Sequence, residues 1–61
     1  MTEFVITRKR EGVIVWMARV VRVDWGFALQ ETADMKYWVE RGDFLPSQLR
    51  EAIAKCEAMA K

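Results

Sequence analysis

Residues 13–23, VIVWMARVVRV, contain no glycine, proline or acidic side chain and consist largely of branched and aromatic residues. A stretch of this kind reads as one long strand. Its apolar residues do not alternate with polar ones, so both of its sides call for cover, and that limits how the rest of the chain can fold. Turn signals flank it, Glu11-Gly12 before and Asp24-Trp25-Gly26 after, with a weaker one at Thr32-Ala33-Asp34. The segments between them predict strands at 3–10, 13–23, 27–31 and 35–41.

Directly opposed residues of a sheet share a face, which allows a register to be tested. With Glu11-Gly12 as a two-residue loop, Ile6 opposes Met17. With Asp24-Trp25-Gly26 as a three-residue loop, its glycine takes the left-handed position, Val21 opposes Leu29, and Arg19 opposes Glu31. A three-residue loop at 32–34 sets Leu29 against Tyr37. One face then gathers Phe4, Ile6, Val13, Val15, Met17, Val21, Val23, Phe27, Leu29, Met35, Tyr37 and Val39.

After Gly42-Asp43, which reads as a break, the periodicity changes. Leu49, Ala52, Ile53, Cys56, Met59 and Ala60 fall on one helical stripe, predicting a helix over about 46–60. Pro46 suits its first turn and Ser47 could cap it. The fold class expected is α+β: an antiparallel four-stranded meander in one domain, 1–61, followed by a C-terminal α-helix packed on one face.

Sixty-one residues bury a small core, and the usual reinforcements are missing. Cys56 is the sole cysteine and there is no histidine, so neither an internal disulfide nor an ordinary zinc site is expected. No cofactor is implied. Self-association is the remaining way to gain stability, and a homodimer is the plainest expectation. The two edge strands could also pair with another chain. The longest apolar run, 13–18, is too short to span a membrane. With a lone thiol and no visible signal peptide, a cytoplasmic setting is expected.

One helix covers one face of such a sheet. In this register the opposite face carries Val5, Ile14, Trp16, Ala18, Val20, Ala28 and Trp38 among Glu3, Thr7, Lys9, Arg22, Gln30, Lys36 and Glu40. An apolar patch with two tryptophans on a nominally solvated face marks a binding surface. The partner-binding candidates are Trp16, Val20, Arg22, Trp38, Ile14, Lys36 and Lys9. The partner is a second copy, another protein or nucleic acid.

Charge is segregated. Residues 1–23 hold five basic and two acidic groups, and residues 24–45 hold two basic and five acidic. Cross-strand pairing inside one sheet is the simplest use of this pattern. The run Arg8-Lys9-Arg10 reads as a solvated strand end. Stacking of neighbouring bases on Trp16 and Trp38 is disfavoured, because the register sets them about 20 Å apart along the strands. Nothing points to catalysis: the commonest general base is missing and Cys56 lies on the helix's apolar stripe. The three glycines form no phosphate loop, and Asp24, Asp34 and Asp43 fall in separate turns.

Strands followed by a C-terminal helix, with Gly42 and Leu45 ahead of it, resemble a coactivator-type single-stranded-DNA-binding fold. Val5-Ile6-Thr7-Arg8-Lys9 is similar to the first strand of the CsrA family of RNA-binding regulators. Each likeness spans a handful of residues. The basic excess is smaller than either pattern has, and the second strand is more continuous than in the latter. Both imply nucleic acid as the alternative partner. The expected function is non-enzymatic: stoichiometric protein binding, as an inhibitor, adaptor or regulator of the size found among phage and mobile-element accessory proteins.

Overall fold

In the computed structural model, which describes residues 1–61, four strands form one antiparallel sheet in the order β1-β2-β3-β4. They are β1 (Thr2–Arg10), β2 (Val13–Val23), β3 (Gly26–Thr32) and β4 (Val39–Phe44). A single 3-10 turn, Pro46–Gln48, leads into helix α1 (Leu49–Met59). The meander and its C-terminal helix are those expected. Glu11 and Gly12 have φ of +53° and +82° and set Arg10 opposite Val13, the two-residue turn read from the sequence. Before α1, Gln48 rather than Ser47 completes the turn. Its Oε1 accepts from the Leu45 N–H at 2.8 Å, and its own N–H donates to the Leu45 carbonyl at 2.9 Å.

The core lies between α1 and one face of the sheet. Ala18, Val20, Phe27, Leu29, Ala52 and Cys56 are buried together, with Phe4, Ile6, Trp16, Phe44, Leu49 and Met59 around them. Ala18, Ala52 and Cys56 are small, which lets the helix approach the strands closely. Burial pushes the Cys56 thiol up, with Glu57 adding to the effect, as for a structural rather than a reactive cysteine. Arg8 closes the far end of the helix by donating to the carbonyls of Ala60 at 3.3 Å, Met59 at 3.2 Å and Lys61 at 3.5 Å. Those carbonyls have no helical partner and carry the negative end of the dipole, so a guanidinium fits there. The basic run is exposed, as expected of a strand end, and its first member also fastens the end of the helix.

Two register details differ from the sequence reading, and both act on β2. Val15 is an extra residue in the β1–β2 ladder, which runs Lys9↔Ile14 and then Arg8↔Trp16. Beyond this bulge Ile6 opposes Ala18 and Phe4 opposes Val20. At the next turn Val23 opposes Gly26, so the loop is Asp24-Trp25 and not three residues. Gly26 has φ +145°, and a Cβ there would lie 2.0 Å from the Phe44 carbonyl oxygen. Each one-residue shift turns the middle of β2 over relative to its neighbour. Trp16, Ala18, Val20 and Arg22 face the helix side, while Met17, Arg19, Val21 and Val23 face away. Arg19 accordingly opposes Gln30 instead of Glu31.

The fourth strand starts and ends later than 35–41. Residues 33–38 form a loop held by Asp34, whose Oδ1 accepts from the N–H of Lys36 at 2.9 Å, the N–H of Tyr37 at 3.0 Å and the Thr32 hydroxyl at 3.0 Å. The Met35 N–H donates to Thr32 Oγ1 at 3.1 Å, and Met35 has φ +63°. These local bonds outcompete an early strand. The chain re-enters the sheet at Val39 and runs through Gly42 and Asp43 to Phe44, with Arg41 as an extra residue between Glu40 and Gly42.

Candidate interaction surface

The seven candidate residues do not lie on one face. Val20 is wholly buried beneath α1 and cannot meet a partner, because the bulge and the shorter loop turn it inward. Trp16 is half-buried on the same side, its Nε1–H donating to Glu31 Oε2 at 2.8 Å with the Arg8 guanidinium 5.0 Å from the ring centre. Arg22 stands over Phe27 at 5.1 Å and pairs with Glu3 at 3.4 Å, also on the helix side. Lys36 sits in the 33–38 loop, not on a strand face. Lys9, Ile14 and Trp38 remain on the side away from the helix. Lys9 and Ile14 are opposed there, as read from the sequence.

No helix packs on that side, although Ala28 and Thr32 on it are buried. Its rows follow from the ladders: Val21 beside Ala28 and Asp43, then Val5 beside Arg19, Gln30 and Glu40, then Thr7 beside Met17 and Thr32. Arg19 occupies the middle. Its Nε donates to Gln30 Oε1 at 2.9 Å, and Gln30 Nε2 donates to Glu40 Oε1 at 2.8 Å, so an amide links a cation to an anion across three strands. The Trp38 ring lies 3.7 Å from the guanidinium carbon of Arg19. Such a stack contributes about 0.5–2 kcal/mol and holds the indole in one orientation. Around it Met17, Val21 and Val23 are half-exposed and Val5 is exposed. The expectation of a sheet with apolar side chains on both faces holds, but with Met17, Val21 and Val23 in place of Trp16, Ala18 and Val20.

On the helix side, where β3 ends, there is a notch of about 390 Å³ walled by Trp16, Tyr37 and Val39, with Glu31, Asp34 and Arg41 at its rim. The sequence reading missed it, since it depends on the displaced start of β4. The hydrogen bond from Trp16, then that from Arg41, hold the Glu31 carboxyl below its ordinary range, against a smaller opposing effect of burial. A carboxyl lowered in the folded state adds stability that is present above its unfolded value of about 4.5 and lost as pH falls through the folded value. Urea unfolding followed from neutral pH to pH ~3 should therefore show a steeper acid loss for the wild type than for Glu31→Gln. Equal slopes would mean that the Trp16–Glu31–Arg41 link carries no pH-dependent stability.

Comparison with protein-family models, curated proteins and solved structures finds no match to this chain. No helix is long and apolar enough to cross a membrane. No three His, Cys, Asp or Glu side chains come together as a group able to hold a metal ion.

Proposed function

We propose that the protein acts by stoichiometric binding to another protein through the sheet face opposite α1, as an inhibitor, adaptor or regulator with no chemistry of its own. The observation that carries this reading is the uncovered face on which Trp38, held flat against Arg19, stands among Val5, Met17, Val21 and Val23. Binding energy concentrates on tryptophan and arginine set among apolar neighbours, and a pre-oriented ring loses little entropy on contact. The face suits a foreign protein better than a second copy. A two-fold axis through its centre would oppose two Arg19 guanidinium groups, and like charges buried together are costly.

The nucleic-acid alternative loses its residue set. Trp16 and Arg22 lie on the helix side and Lys36 in a loop, leaving Lys9 and Trp38 on the open face. No basic track accompanies an aromatic row there.

The test is affinity capture from nuclease-treated lysate of the producing cells, comparing wild type with Trp38→Ala and Val21→Asp. A protein bound near one per chain by the wild type and lost by at least about tenfold in both folded variants is the expected result. Salt-dependent binding of short single strands with no captured protein would instead support the nucleic-acid alternative.

A further inference from the structure

Folding leaves the charge segregation in place. Two ion pairs form, and each lies inside one charge segment: Arg22 with Glu3 in the basic part, and Arg41 with Glu31 in the acidic part. Cross-strand pairing therefore does occur, but it does not cancel the excess of three positive charges in 1–23 against three negative in 24–45. The only link between the segments' charged groups on the open face is the Arg19–Gln30–Glu40 relay.

The same two segments are left incomplete in shape. β2 outruns β3: the last partners are Met17 and Thr32, so residues 13–16 are bordered by β1 alone. With the end of β1 they make a two-stranded arm. The four backbone hydrogen bonds outside the ladders and the helix involve none of residues 13–16, so the β3-side edge of the arm is unpaired. Val13, Ile14 and Val15 are 63%, 38% and 43% exposed, respectively. A ribbon of two strands is marginal by itself in water, and an apolar unpaired edge is a template for another chain. Beside the base of this arm lies the notch, with Trp16, Tyr37 and Val39 as walls and Glu31, Asp34 and the Arg41 paired with Glu31 on its rim.

We propose that the occupant of the notch is the arm of a second copy, and that the exchange is mutual, giving a two-fold dimer. An axis beside the arm lays the two arms antiparallel, the tip of each against the base of the other. Val13 and Val15 then meet Tyr37 and Val39 of the other copy, and Arg10, which shares a face with Val13, approaches its Glu31 and Asp34. The contact is self-complementary and closed, so it stops at two chains. It uses neither Trp38 nor Arg19, and the dimer presents two open sheet faces. This proposal is independent of the function proposed above.

Sedimentation equilibrium over a range of protein and salt concentrations tests it. The wild type should be a dimer that weakens with salt. An arm variant, Val13→Glu with Val15→Glu, and a notch variant, Tyr37→Ala with Val39→Lys, should each dissociate at least about tenfold more readily. Mixed together they should form a heterodimer, because one intact arm then faces one intact notch. In the wild type, amide exchange at residues 13–16 should slow as protein concentration rises, a readout that needs no variant. A wild type that stays monomeric throughout overturns the proposal. So does a dimer that survives both variants and is abolished by Trp38→Ala or Val21→Asp.

Discussion

Gly26→Ala is expected to leave most of the chain unfolded at room temperature, whereas Gly12→Ala is expected to cost only about 1 kcal/mol. Both glycines have positive φ, but their surroundings differ. A Cβ on Gly12 would meet nothing within 4 Å. A Cβ on Gly26 would lie 2.0 Å from the Phe44 oxygen and 3.1 Å from its carbonyl carbon, both backbone atoms of the neighbouring strand. Relief requires β3 and β4 to part, which draws Phe44 away from Phe27, its ladder partner. Backbone strain at such a φ adds about 1–3 kcal/mol. A domain of this size holds only roughly 3–5 kcal/mol in total, so clash and strain together exhaust it. Gly26→Asn separates the two readings of the turn, because asparagine is tolerated at a left-handed loop position but not at +145° against a carbonyl. Circular dichroism and chemical-shift dispersion of the three variants provide the measurement. A folded Gly26→Asn would restore the three-residue loop and refute the close β3–β4 approach.

The elements were legible wherever local chemistry and periodicity agreed. The Glu11-Gly12 turn, the strands on either side of it and the helix stripe through Ala52 and Cys56 all followed from residue types. The phase of β2 was not legible, for a reason visible in its composition. From Val13 to Ala18 every side chain is apolar, so alternation carries no information about which residues face inward. A bulge at Val15 leaves no mark in such a run. The start of β4 was hidden differently. Thr32 and Asp34 resemble an ordinary short turn, but Asp34 gathers two backbone N–H groups beyond it and so extends the loop to residue 38.

The site inherited these errors in part. An apolar second face was readable from the amount of apolar surface set against one helix. Its membership depended on the phase of β2 and changed with it. Trp38 kept its place because the sequence reading and the structure agree on the side it takes, even though the strand after it starts later. The arm and notch were out of reach of pattern reading, because both arise where β3 stops short of β2. The charge segregation was read as cross-strand pairing between the segments, whereas each ion pair forms within its own segment.

Two adjacent substitutions separate the register in the structure from the one read off the pattern. Val20→Asp is expected to unfold the protein and Val21→Asp to leave it folded, at a cost of about 1–2 kcal/mol from lost β propensity and partial burial. Val20 has no exposed surface and sits with Leu29, Ala52 and Cys56. A carboxylate there would have no cation or donor of its own, because the buried cluster is entirely apolar apart from the Cys56 thiol. The penalty for an unpaired buried charge is several kcal/mol, which matches or exceeds the stability available. Val21 lies on the open face between Thr2 and Ala28, where an added carboxylate keeps its water. The three-residue loop would reverse the pair, placing Val21 under the helix and Val20 in solvent. Thermal melts of the two variants decide between the registers, and a folded Val20→Asp beside an unfolded Val21→Asp would move Trp16 back to the open face and remove the wall it gives the notch.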